Sequence, residues 1–143
     1  MMQINEVLTL ENQLEKIGSL LLQGYRFVTM TVVDKGEEFD IYYHFDLEYQ
    51  LVNYQLCLKK GSELPSISGI CFAAVVVENE IQDLFGITVK GLAIDYEKHF
   101  LLAEDAPAQP FCRVPGVGVT AVASDGKGNL SAPAATVNNG GDK

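Results

Sequence analysis

Apolar and polar positions alternate along this chain with two different periods. Thr9 can cap a helix whose apolar positions Leu10, Leu14, Ile17 and Leu21 recur at spacings of 4, 3 and 4, with Gly24 ending it. Tyr25 to Val33 is rich in β-branched and aromatic residues and reads as a strand. Asp34-Lys35-Gly36-Glu37 supplies turn chemistry, and Phe39 to Phe45 returns as the second arm of a hairpin. There Phe39, Ile41, Tyr43 and Phe45 alternate with Asp40, Tyr42 and His44, which predicts one buried face and one wet face, with His44 half exposed. Leu51 to Leu58 repeats the alternation as a third strand and closes at Lys59-Lys60-Gly61. A second helix is expected from Ile70, Ala74, Val77, Ile81 and Leu84, with Ser66 or Ser68 as N-cap and Gly86 at its end; the run Val75-Val76-Val77 weakens that helix. Ile87 to Val89 is then a short strand returning to the sheet. A helix followed by an antiparallel meander argues a two-layer α+β domain, helices packed on a mixed or antiparallel sheet.

Composition changes this picture only near Ala106. All six tyrosines and six of the seven phenylalanines precede it, whereas four of the five prolines and six glycines follow it. From Gly116 onward small residues dominate, with no aromatic ring, so burial cannot offset the entropy of ordering. The expected organisation is one domain over residues 1–113 and a flexible Ala/Gly/Pro-rich tail over 114–143.

Charge narrows the partners. Ten basic against nineteen acidic residues give a formal charge of −9, which repels phosphate backbones and anionic lipid surfaces but does not exclude a basic protein partner. The longest apolar run, Ile70 to Val77, is far short of a membrane span, and the acidic N-terminal stretch does not resemble a signal peptide. A soluble protein that stays in the cytosol is expected. Cys57, Cys71 and Cys112 are odd in number and widely spaced, so they read as free, buried or half-buried thiols rather than a disulfide or iron–sulfur ligand set; Cys112, in a mobile-looking stretch, could be exposed.

The densest polar cluster, Glu78, Glu80, Gln82 and Asp83, lies on the second helix. Glu78 and Gln82 share a face, as do Asn79 and Asp83, but Glu80 stands about 200° around the helix from Glu78, so the carboxylates do not converge on one metal or substrate. No HExxH or ExxH pattern accompanies them, and no GxSxG turn supplies a nucleophile for His44 or His99. Gly116-Val117-Gly118 and Gly126-Lys127-Gly128 lack the strand-to-helix setting and the GxxxxGK[ST] pattern of a phosphate loop. A structural or interface network is the expected role of the acidic cluster, with no catalytic, cofactor-binding or metal residue in the chain.

The stretch Pro65 to Ile87, PSISGICFAAVVVENEIQDLFGI, resembles the signature of the 30-kDa subunit family of respiratory NADH:quinone oxidoreductase. Pro65, Ser66, Ile67, Ile70, Ala73, Ala74, Glu78, Glu80, Asp83, Leu84, Phe85, Gly86, Ile87 and Gly91 carry the match, and the resemblance extends over roughly residues 5 to 113. Asn79 stands where the family has Arg between the glutamates, and Cys71 where it usually has Trp. The Arg would be expected to pair with carboxylates across an interface, a contact Asn79 cannot make. The chain is short beside the respiratory subunit, and LLAEDAPAQP is similar to the homologous small subunits of membrane-bound, energy-converting [NiFe] hydrogenases.

The resemblance implies a cofactor-free accessory subunit on the cytoplasmic arm of a membrane-bound complex for electron transport and energy conservation. It would brace a large catalytic subunit, with [NiFe] and [4Fe–4S] centres held by its partners and ferredoxin as the linked carrier. Its interface residues would be Pro65, Ser66, Glu78, Glu80, Asp83, Phe85 and Gly86. The equivalent subunit of an NADH:quinone oxidoreductase is the nearest alternative. A free-standing small-molecule binding module and an adaptor that dimerises through a strand edge are alternatives of other classes.

Overall fold

The computed structural model describes residues 2–112, so the tail expected beyond them lies outside the described residues. The chain runs β1 (Glu6–Leu8), α1 (Gln13–Leu22), β2 (Arg26–Asp34), β3 (Glu38–Leu47), β4 (Gln50–Lys59), β5 (Glu63–Pro65), α2 (Ala74–Phe85) and β6 (Thr88–Lys90). Four strands form one sheet in the order β1-β4-β3-β2. β2, β3 and β4 are the expected antiparallel meander, while β1 adds to β4 in parallel, making the sheet mixed. The α+β architecture is therefore the one expected, with an additional strand at the N-terminal edge.

Both helices lie against the face carrying Phe39, Ile41, Tyr43, Phe45, Leu56 and Leu58, each at most 4% exposed. Ile17 and Leu20 of α1 and Ala74 and Ile81 of α2 complete that core. Burying such side chains is the main stabilising term, about 1.5–3 kcal/mol each. Phe45 sits edge-on to both Phe27 and Tyr54.

Four local expectations need correction. The first helix begins at Gln13, with Asn12 rather than Thr9 as its N-cap; Thr9 and Asn12 instead exchange hydrogen bonds, each backbone N–H donating to the other's side chain. Its buried face is Gln13, Ile17 and Leu20, leaving Leu10 and Leu14 exposed. Gln13 can be buried because its Nε2 donates to Tyr43 Oη and to the Pro65 carbonyl.

The outer face of the meander is not uniformly wet. His44 is buried, hydrogen-bonded through Nδ1 to Asn53 Oδ1 and through Nε2 to the Thr31 hydroxyl. Asp40 is buried beside Tyr42, Cys57 and Lys35, and Cys57 itself is exposed.

The second helix starts at Ala74, after Ile70, which is exposed, and neither Ser66 nor Ser68 caps it. Both serines turn toward Glu78, as described below. Finally, β6 does not return to the main sheet: it pairs in parallel with β5 as a separate two-stranded ribbon. Among the described residues no helix is long and apolar enough to cross a membrane.

Candidate functional site

Helix α2 carries the acidic cluster, and its polar side chains point inward. Glu78 and Asn79 are fully buried, and Gln82 and Asp83 are nearly so. An amphipathic helix would normally leave these residues in water. Here the chain before and after the helix folds over them, and their side chains bind it at several places.

Glu78 holds the entry segment. Its Oε1 accepts from the Ile67 N–H at 2.7 Å and its Oε2 from the Ser66 hydroxyl at 2.6 Å. Ser66 Oγ in turn accepts from Ser68, whose Oγ accepts from the Ala93 N–H. Burial pushes the Glu78 pKa above its ordinary value, and the donors from Ser66, Ile67 and Ser68 partly oppose that rise. Pro65 lies at the end of β5 and contributes its carbonyl to Gln13, so the start of the signature is tied to α1 as well as α2.

Asn79 and Gln82 hold β6 and the segment after it. Asn79 Nδ2 donates to the carbonyls of Val75 and Ile94, while its Oδ1 accepts from the Tyr96 N–H. Gln82 Oε1 accepts from the Val89 N–H, and its Nε2 donates to Asp95. Asn79, where the family has Arg, is thus a three-bond anchor within the chain. Asn79→Ala leaves the Tyr96 N–H and the Ile94 carbonyl unpaired and is expected to cost about 2 kcal/mol. Hydrogen exchange should show faster opening over residues 94–96 with the meander strands unchanged.

Asp83, Phe85 and Gly86 hold the last described stretch. Asp83 Oδ2 accepts from the N–H groups of Leu101 and Leu102, and its Oδ1 has no partner among the described residues. Phe85 stacks edge-on between Phe39 and Phe111, and its carbonyl accepts from the Cys112 thiol. Cys112 is therefore half-buried against the core rather than exposed. Gly86 ends α2 in the left-handed conformation, φ 70°, and its N–H donates to the Gln82 carbonyl.

The expected interface residues thus separate into groups. Pro65, Ser66 and Glu78 meet at one end of α2, and Asp83, Phe85 and Gly86 gather at the other. Glu80 stands apart, half-buried on a groove between α2 and β2. Gln82 belongs to the polar cluster visible in the sequence, whereas Gln13 and Asn79 stand outside it; a Gln at helical spacing from Ile17 was the available signal for Gln13.

One mixed donor set occurs elsewhere among the described residues. Glu38, Asp40 and Cys57 place ligand atoms within 4.8 Å of one another on the outer sheet face. Asp40 is already engaged by Tyr42, Cys57 and Lys35. Burial, then Asp40 itself, pushes the Cys57 thiol up, away from the thiolate a metal would need.

The arrangement positions chain segments around α2. Residues 8–114 match the family described as the respiratory-chain NADH dehydrogenase 30 Kd subunit. Over 71 residues the chain is 38% identical to an NADH-quinone oxidoreductase subunit of Jannaschia sp. (strain CCS1), an alignment covering 46% of this chain and 34% of that protein. The chain thus matches about a third of the length of this curated relative. Its fold is similar to a chain in the structure of the membrane-bound sulfane sulfur reductase (MBS), an archaeal respiratory membrane complex. The TM-score is 0.55 at 15% identity, covering 76% of this chain and 69% of the other.

Proposed function

The chain belongs to the respiratory-chain NADH dehydrogenase 30 Kd subunit family, and from that premise we propose that it is an accessory subunit of a membrane-bound, complex I-like respiratory assembly. In this reading it carries no redox centre and braces a large catalytic subunit from the side of the membrane where it is made. The observation that carries the reading is how α2 uses its polar groups. Glu78, Asn79, Gln82 and Asp83 hold backbone N–H and C=O groups of residues 67–102 in place, which makes the signature a device for fixing a surface. That surface includes the exposed apolar side chains Ile70, Phe72 and Val76 beside the start of α2, a grouping suited to cover by another polypeptide.

Two finer readings have separate support. The curated relative is named as a subunit of an NADH-quinone oxidoreductase. The stretch LLAEDAPAQP instead favours an energy-converting [NiFe] hydrogenase, with [NiFe] and [4Fe–4S] centres in the partner subunits. Removing the chain from the producing cell separates this function from a free-standing role. Native gels of the membranes should then show the large subunit lost from its high-mass band, together with its membrane-linked electron-transfer activity. Bands and activity that persist unchanged rule out the bracing role. Nickel in the wild-type band selects the hydrogenase reading, and flavin with quinone reduction selects the other.

A further inference from the structure

The two edges of the main sheet are built differently. β1 is three residues long, and Lys16 pairs with Glu6 beside it. β2 is nine residues long. Exposed edges are normally blunted by Lys, Pro, bulges or shortness, because their free N–H and C=O groups recruit other strands. From Phe27 to Val33, FVTMTVV, β2 has neither Lys nor Pro. Its one irregularity falls between Phe27 and Thr29, and from Thr29 to Asp34 it pairs regularly with β3. No strand among the described residues lies on its other side.

Directly beside this edge runs a groove of about 350 Å³ between β2 and α2. Val77, Ile81, Leu84 and Phe111 supply apolar walls, and among the described residues Glu80 is the one ionisable group in its lining. Glu80 makes no ion pair among the described residues.

We propose that the free edge of β2 and the groove beside it receive an extended strand from another polypeptide of the complex, one carrying a basic side chain opposite Glu80. Main-chain pairing along an edge, with alternate side chains entering an adjacent pocket, is an established mode of recognition. Charge selects the occupant. A second copy of this chain would bring a second Glu80 and another net charge of −9 to the same place, whereas a basic strand neutralises Glu80 as it leaves water. The proposal rests on the assembly reading above and gives it a specific contact.

Hydrogen exchange on the complex purified from native membranes, compared with the isolated full chain, tests it. Assembly should slow alternate amides within residues 29–33 by about ten-fold or more. Glu80→Lys should reduce the chain retained in the complex by about ten-fold, and Glu80→Gln by less, with the circular dichroism of each isolated chain unchanged. A chain that co-purifies with its complex while residues 29–33 exchange as fast as in isolation overturns the proposal and leaves the assembly reading standing. Protection that appears in the isolated chain and grows with its own concentration overturns it in favour of a second copy. If no partner polypeptide co-purifies, both ideas fail.

Discussion

Replacing Gly86 with valine is expected to lower the stability of the domain by about 2–3 kcal/mol. Gly86 holds φ 70° where α2 stops, a conformation that a β-branched residue enters only with strain. A Cβ there would also overlap the Gln109 side chain, which packs across the glycine. Gln109 can swing aside at modest cost, so backbone strain is the larger part. The damage should spread along the chain, because the carbonyls of Leu84 and Phe85, immediately before the glycine, hold Phe111 and Cys112. Urea denaturation should show a lower midpoint with an unchanged slope. An unshifted midpoint would mean that the turn tolerates a side chain and that its glycine is not structurally required.

Glu78→Ala should cost more, about 3–4 kcal/mol, because it combines a void with a stranded donor. The Ile67 N–H loses its acceptor inside the protein, and the Ser66 hydroxyl must find another. Glu78→Gln keeps the volume and one carbonyl oxygen and should cost far less. The pair also carries a pH signature. The folded-state pKa of Glu78 is raised by burial, so between the unfolded and folded values the native state binds more protons than the unfolded one. Its contribution to stability is therefore fully present below the unfolded value and is lost as pH rises through the folded one. The wild type should lose stability relative to Glu78→Gln as pH rises through that window. A stability difference independent of pH would mean that the carboxyl does not change protonation differently in the two states.

How much of this was legible in the sequence follows from which interactions are local. The β2–β3–β4 meander was readable because Phe39, Ile41, Tyr43 and Phe45 alternate, and their register with β2 and β4 follows from short turns. β1 was not, since three residues carry too little alternation and their partners Tyr54 to Leu56 lie almost fifty positions on. In α1 the apolar stripe was right at Ile17 and Leu21 and wrong at Leu10 and Leu14: Gln13 takes the buried position because Tyr43 and Pro65, both distant in sequence, accept from its Nε2. In α2 the polar positions were visible and their direction was not. Spacing placed Glu78 with Gln82 and Asn79 with Asp83, but nothing local says that residues 87–102 wrap over them. Asn79 shows the same limit most sharply. The departure from the family's Arg spoke only of a contact with a partner, and nothing local revealed that an amide presenting both donor and acceptor suits the Ile94 carbonyl and Tyr96 N–H that surround it.

The central claim is that α2 and its wrapped loops exist to be covered by another polypeptide. Its most direct test is affinity purification of the full chain from native membranes, followed by quantitative mass spectrometry and metal analysis. A large catalytic subunit and iron–sulfur subunits recovered in constant ratio to the chain are the expected result, with iron tracking those subunits. Recovery of the chain alone, itself holding stoichiometric metal or turning over a substrate, would contradict the account.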